Sequence, residues 1–172
     1  MTCIDLILTV LISLPVWRLS TDTPAERAEL TRPVAAAICA ATSDPTEQAF
    51  LATQGDSETK YARPVLEERC HEMPEGERCD QGRATGPWQV HRWCREAWNA
   101  VTHADRLLAG ARCALRGWRR GSAEGDWAQG FQAQKNAAPP RPWARRRAIM
   151  MAQVLAAMNA TKRTDDDGPT TP

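Results

Sequence analysis

The hydrophobic positions of the chain recur with the period of an α-helix over most of its length. Leu30, Val34 and Ile38 are four residues apart, which places them on one face of a helix. Similar apolar spacing in residues 107–118 and 142–158 predicts two further helices. No two alternating segments flank a turn signal, so the pattern predicts an all-α fold or nearly so.

Two helix starts are indicated by the residues themselves. Thr23 and Asp44 each precede a proline at the first helical position and a glutamate at the third. Threonine and aspartate accept hydrogen bonds from the free N–H groups of a first turn, and proline suits the first position. The helix that follows Asp44 carries Phe50 and Leu51 and is expected to loosen near Gly55.

Residues 63–87 are expected to form a long loop, because prolines and glycines stand there among dense charges. A loop of this length inside a domain is usually functional or tied by a disulfide. Cys70 and Cys79 bracket part of the loop and are expected to staple it. Helical spacing resumes after Pro87, with apolar residues at 90, 94, 97 and 101.

The number of cysteines indicates the kind of compartment in which the protein folds. Six of them are many for a reducing cytosol and indicate disulfides in an oxidising location. Cys94 and Cys113, on successive predicted helices, form the second candidate pair. Cys39 lies on an alanine-rich helix and is interpreted as a small buried apolar residue.

The two ends of the chain differ from its centre. Residues 1–21 hold an apolar stretch that is too short to span a bilayer, so no stable transmembrane anchor is predicted. Two interpretations of it stay open, the core of a signal peptide and a first buried helix. Residues 22–160 are expected to form one domain, and the polar residues 161–172 a disordered tail.

The nearly balanced charge of the chain argues against nucleic acid as a partner. The formal net charge is +1, from 22 basic and 21 acidic residues, so the chain is not a globally basic nucleic-acid binder. The arginine-rich runs at 116–120 and 145–147 are interpreted as solvated residues at helix ends, and no nucleic-acid partner is expected.

One ordered pair of motifs carries candidate chemistry. Glu58 and Thr59 stand at the expected end of a helix, and the loop then leads to Gly86-Pro87-Trp88-Gln89. This order resembles the lytic transglycosylase and goose-type lysozyme superfamily. There a Glu-Ser pair ends one helix, and a Gly-x-x-Gln segment opens the next. The resemblance covers roughly residues 22–158, and its specific part covers residues 50–98.

The resemblance implies a lysozyme-like helical domain that cleaves peptidoglycan glycan strands without a cofactor. Glu58 would be the general acid and base, and apolar groups around it would keep it protonated. Gln89 would hold a sugar substituent. Thr59 and Tyr61 would assist at the same site, and Trp88 or Trp93 would stack on a sugar. Such a protein is expected to be a monomer, either secreted, periplasmic or in the cell envelope, or a phage-borne lysin.

Two departures from the family pattern leave an alternative open. Thr59 replaces the commoner serine, and residues 130–136 lack the tyrosine that often approaches the acid in this family. The alternative is a glycan-binding or structural domain of the same fold with weak or absent catalysis. A second carboxylate, which an inverting hydrolase would need, could come from Glu68, Glu72 or Asp80.

Other chemistries fit the residues less well. A zinc site built from cysteines and histidines would need closer pairs than Cys70 and Cys79, which eight residues separate. Ser57 lacks the Gly-x-Ser-x-Gly setting of a hydrolase nucleophile. The sequence therefore predicts no metal site and no serine or cysteine nucleophile.

Overall fold

A computed structural model describes residues 1–74, 79–120, 139 and 141–166. These residues are mostly helical, which confirms the predicted all-α class. The helical elements are α1 Cys3–Ser13, α2 Pro24–Ala41, α3 Pro45–Thr59, α4 Arg63–Leu66, a 3-10 turn Cys70–Glu72, α5 Cys79–Gly82, α6 Arg95–Trp98, α7 His103–Arg120 and α8 Pro142–Asp166. A short hairpin of β1 Ala84–Thr85 and β2 Val90–His91 lies between α5 and α6.

Both predicted helix starts are confirmed. The Thr23 hydroxyl accepts a hydrogen bond from the backbone of Glu26, whose carboxylate bonds back to the Thr23 backbone. Asp44 accepts two backbone hydrogen bonds at the start of α3. The expected loosening near Gly55 is wrong, because α3 continues to Thr59 and ends at Lys60 in a left-handed conformation.

The apolar N-terminal segment is a helix of the core. Ile7 and Leu11 are fully buried, and α1 packs chiefly against α2. A disulfide between Cys3 and Cys39 joins these two helices, with their Cα atoms 6.1 Å apart. The interpretation of Cys39 as an unpaired apolar residue is therefore wrong. Its partner lies 36 residues away, on a segment whose place in the fold the sequence did not settle.

Helices α2, α3, α7 and α8 surround the rest of the core. The rings of Phe50 on α3 and Trp118 on α7 stack with their centres 4.4 Å apart. Helix α8 packs along α3 and reaches Asp166, inside the segment predicted to be a disordered tail. Residues 167–172 lie outside the described residues. No helix among the described residues is both long and apolar enough to cross a membrane.

The helix predicted from Pro87 is a β-hairpin instead. Thr85 pairs with Val90 in an antiparallel ladder, and the intervening turn has positive φ angles of 68° at Gly86 and 47° at Gln89. These angles are incompatible with an α-helix. The apolar residues at 90, 94, 97 and 101, whose spacing suggested a helix, do not share one buried face, because Val101 is 94% exposed. Only Arg95–Trp98 forms a helical turn in this region of the described chain.

The long loop is tied by a disulfide as predicted. Cys70 on the 3-10 turn bonds to Cys79 at the start of α5, with Cα atoms 5.7 Å apart. Cys94 bonds to Cys113 of α7, which confirms the second predicted pair. All six cysteines lie in the described part of the chain, and none of them is free.

Candidate functional site

The candidate acid Glu58 lies on the last turn of α3, where α8 crosses it. Its side chain is 19% exposed. Its Oε1 atom accepts hydrogen bonds from Gln54 Nε2 at 3.0 Å and from Arg147 of α8 at 2.5 Å. Gln54 is fully buried one turn earlier on the same helix. The carboxylate is thus held from two sides, by a neutral amide and by a cation.

These contacts bear on which protonation state of Glu58 its surroundings favour. An arginine in hydrogen-bond contact favours the ionised form of a carboxyl group, and an apolar wall would favour the neutral acid. The described contacts of Glu58 are therefore polar and cationic rather than apolar, and its protonation stays a prediction. The cation comes from 89 positions along the chain.

Arg147 is held in place by an aromatic ring as well as by Glu58. Its guanidinium lies over the ring of Trp143, 5.0 Å from the ring centre. Trp143 is one turn earlier on α8, so the stacking is set within a single helix. A cation over an aromatic face is attracted by the ring quadrupole, and the ring therefore supports the guanidinium beside Glu58.

The end of α3 is joined to the turn of the hairpin. The Thr59 hydroxyl lies 2.9 Å from the Gly55 carbonyl oxygen and 3.4 Å from that of Pro87. The Trp88 indole N–H donates to the Leu51 carbonyl at 2.9 Å. The two motifs of the resemblance are therefore in direct contact, although 28 residues separate Thr59 from Pro87.

Three of the predicted substrate-binding side chains are parts of the core. Trp88 is 1% exposed, Tyr61 is 2% exposed and Thr59 is 7% exposed. The Tyr61 hydroxyl donates to the Ala52 carbonyl at 2.8 Å, and burial raises the pKa of this phenol well above its ordinary value. In the described structure Thr59 and Trp88 join α3 to the hairpin, and Tyr61 packs on α3. All three offer little surface to a sugar.

Gln89 has a comparable position in the hairpin. It is 8% exposed, and its Nε2 atom donates to the Gly86 carbonyl at 2.8 Å and lies 3.6 Å from Cys79 Sγ. The amide therefore braces the turn against the Cys70–Cys79 disulfide. Trp93, just after β2, is 42% exposed and presents an aromatic face at the surface.

The candidate second carboxylates are each paired with a basic side chain. Glu68 bonds to Arg106 and lies 3.0 Å from His103, beside a cavity of about 440 Å³. Glu72 bonds to Arg69, and Asp80 lies 3.3 Å from Arg83. None of these contacts links them to Glu58. Residues 130–136, where the family tyrosine would stand, lie outside the described residues.

A buried ionic group behind Glu58 was not predicted from the sequence. The side chain of Asp56 is fully buried and pairs with Lys60 Nζ at 2.5 Å. Burial raises the pKa of Asp56, and the Lys60 ammonium and the Arg27 guanidinium partly oppose this. Arg27 is 5% exposed and donates to the carbonyls of Leu11, Leu14 and Pro15.

The site residues that the sequence analysis missed differ in how they could have been found. Gln54 stands four residues before Glu58 on one helix, which is a spacing that places two side chains in contact. Arg147 and Trp143 carry no such signal relative to Glu58, because only the packing of α8 on α3 brings them there.

Metal ligation has weak support among the described residues. Ligand-type atoms of Cys94, Glu96 and Cys113 lie within 4.8 Å of one another. The two sulfur atoms are joined in a disulfide, so neither is a thiolate that could bind zinc.

Comparison with protein-family models, with curated proteins and with solved structures gives no significant match for this chain.

Proposed function

We propose that the protein is a lysozyme-like helical domain that cleaves the glycan strands of peptidoglycan, with Glu58 as general acid and base. The observation that carries the proposal is the junction of α3 with the hairpin. Thr59, next to Glu58, reaches the Pro87 carbonyl, and Trp88 is anchored on Leu51. The two motifs of the resemblance thereby form one local structure, as a shared site requires.

The chemistry follows from a single carboxyl group. Protonated Glu58 gives its proton to the glycosidic oxygen as the bond to the sugar C1 breaks, and the leaving sugar departs with a free hydroxyl. The carboxylate then takes the proton of the 6-hydroxyl while that oxygen bonds to C1. A 1,6-anhydro sugar forms, and Glu58 regains its proton. Attack by water in place of the 6-hydroxyl would give a reducing end.

The roles of the neighbouring residues follow from their burial. Gln89 braces the turn of the hairpin, and Trp93, which is 42% exposed, offers a face on which a sugar can stack. Three disulfides suit an oxidising compartment, so we place the activity outside the cytoplasm, in the secreted, periplasmic or envelope space.

One observation favours a second candidate function. Arg147 pairs with Glu58 and favours its ionised form, which cannot donate a proton. A domain of this kind could bind glycan strands without cleaving them. The two candidates differ in whether Glu58 is required for the release of fragments.

The test compares the wild type with Glu58→Gln on purified peptidoglycan, with mass spectrometry of the released fragments. Loss of the acid should lower the release by about 10²–10⁴-fold, because a glutamine amide is far too weak an acid to transfer a proton to the glycosidic oxygen. Glu29→Gln is the matched control, since it removes one exposed carboxylate of α2. This control should release fragments at the wild-type rate.

The fragments also separate the candidate reactions. Anhydro-ended fragments that depend on Glu58 indicate a transglycosylase. Reducing-ended fragments indicate a hydrolase, and variants of Glu68, Glu72 and Asp80 would then identify the second carboxylate. Binding to intact sacculi without release from any variant contradicts the enzymatic proposal and favours the glycan-binding domain.

A further inference from the structure

The contacts of Glu58 conflict with the role proposed for it. A general acid must carry a proton when the glycosidic bond breaks. In the free protein its Oε1 atom lies 2.5 Å from the Arg147 guanidinium, which favours the carboxylate. The acid therefore becomes competent only after the arginine has moved away from it.

The second donor does not impose the same restriction. The Gln54 amide donates to Glu58 Oε1 at 3.0 Å and carries no charge. If a proton binds the other oxygen, Oε1 remains a carbonyl that can still accept this hydrogen bond. Gln54 can thus orient the group in both protonation states, and of these two contacts Arg147 is the one that discriminates between them.

The guanidinium is placed so that it can exchange partners. Its side chain is 18% exposed, and its stacking on Trp143 does not depend on Glu58. A guanidinium that loses one carboxylate is best satisfied by another, because its fork of donors matches the two oxygens. The peptide stems of peptidoglycan carry carboxylates next to the glycan strand that the protein is proposed to cleave.

We propose that Arg147 is a positioning residue that exchanges Glu58 for a stem-peptide carboxylate of the substrate. In the free protein it holds Glu58 ionised. When the substrate carboxylate takes the guanidinium, Glu58 takes up one proton from solvent and becomes the general acid. The acid is thereby formed only on strands that carry peptide stems. This inference rests on the proposed function.

Three variants test the exchange. Arg147→Gln removes the charge that pairs with Glu58, and Arg147→Lys keeps the charge in a more compact group. Arg145→Gln is the matched control, because it removes the same charge from an exposed position two residues earlier on α8. The probe is a muramyl tripeptide with free carboxylates, and its carboxamide analogue is the control ligand.

The first readout is the pH at which the Glu58 carboxyl carbon titrates in ¹³C NMR. The tripeptide should raise this midpoint in the wild type by at least about one pH unit, which is a tenfold change in protonation. In Arg147→Gln the titration midpoint of Glu58 should already lie above that of the free wild type and should not respond to the tripeptide. Arg147→Lys should keep a low midpoint, and Arg145→Gln should behave as the wild type.

The second readout is cleavage of intact peptidoglycan and of strands whose stems have been removed by an amidase. At pH 7 the wild type should cleave the stripped strands at least about tenfold more slowly, since the same loss of protonation limits the acid step. Arg147→Gln should cleave the two substrates at similar rates.

The failures of the two proposals are distinguishable. If Glu58 titrates at the same pH in the wild type and in Arg147→Gln, or if the carboxamide analogue acts as well as the tripeptide, the exchange is contradicted. This holds whether or not the protein cleaves glycan. If the titrations behave as expected and no variant releases fragments, the exchange is supported and the proposed cleavage is contradicted.

Discussion

At the scale of single residues, Asp56 shows most directly how burial competes with charge. Its side chain is fully buried, and its Oδ1 atom has no hydrogen-bond partner among the described residues. Removal from water penalises the carboxylate and raises the pKa of Asp56, and the nearby Lys60 only partly compensates. The folded chain therefore binds this proton more tightly than the unfolded chain does.

The sign of the pH dependence follows from that difference. Between the ordinary aspartate pKa of 3.8 and the raised pKa in the folded protein, the folded state binds more protons, so stability falls as pH rises. The stability of the wild type relative to Asp56→Asn should be greatest below this range and should fall through it. Urea unfolding at a series of pH values measures the difference.

Lys60→Gln provides the control for this prediction. It removes the cation that lowers the pKa of Asp56. The stability of Lys60→Gln relative to the double variant with Asp56→Asn should therefore keep falling to a higher pH than the stability of the wild type relative to Asp56→Asn. A difference between the wild type and Asp56→Asn that does not change with pH would contradict the assignment of the raised pKa to Asp56.

At the scale of elements, α3 is the helix on which the hairpin and the candidate acid are both mounted. A glycine, Gly55, lies in the interior of α3 because the Tyr61 ring fills the space that a side chain at this position would need. A Cβ atom at Gly55 would clash with the Tyr61 hydroxyl and would lie 2.7 Å from two carbon atoms of its ring. Tyr61 in turn donates to the Ala52 carbonyl of the same helix. The chain can thus fold back tightly after Lys60 without leaving the surface of α3.

Gly55→Ala should therefore destabilise the protein in spite of the better helix propensity of alanine. Overpacking at a buried site costs about 1–3 kcal/mol, and the hydrogen bond of Tyr61 would be strained as well. Gly110→Ala in α7 is the matched control, because its Cβ atom would meet Trp88 at an ordinary 3.4 Å.

The control should change stability little or raise it by up to about 1 kcal/mol. Chemical denaturation of both variants checks the pair. Equal effects of the two substitutions would show that the contact with Tyr61 does not control this site.

At the scale of the whole molecule, disulfides connect elements that are distant in sequence. Cys3–Cys39 joins α1 to α2 across 36 residues, and Cys94–Cys113 joins the start of α6 to α7 across 19. Cys70–Cys79 closes only 9 residues, within a loop whose apolar contacts are few. A longer closed loop restricts the unfolded chain more strongly.

Replacing both cysteines of a bridge by alanine should therefore cost most at Cys3–Cys39. Chain entropy gives about 4 kcal/mol for that bridge and about 3 kcal/mol for Cys70–Cys79. Thermal and urea unfolding of the two double variants measures the order. A larger loss at Cys70–Cys79 would contradict the entropic order and would show that this bridge holds the loop in the folded state.

Local chemistry explains what the sequence alone determined. The helix starts at Thr23 and Asp44 could be predicted because each cap bonds to a backbone group only two or three residues away. The Cys70–Cys79 bridge could be predicted because the two cysteines bracket a short segment that contains a proline and a glycine, and closing so short a loop costs little chain entropy. The all-α class followed from apolar spacing, which depends on the helix period alone.

Only the tertiary structure decided the surroundings of Glu58, the pairing of Cys39 and the course of the chain after Pro87. Arg147 meets Glu58 because α8 packs on α3, and Cys39 meets Cys3 because α1 packs on α2. The segment after Pro87 forms a hairpin because Trp88 is buried against α3. Each of these outcomes depends on groups far away in sequence, whose meeting is decided by how whole helices bury their apolar faces.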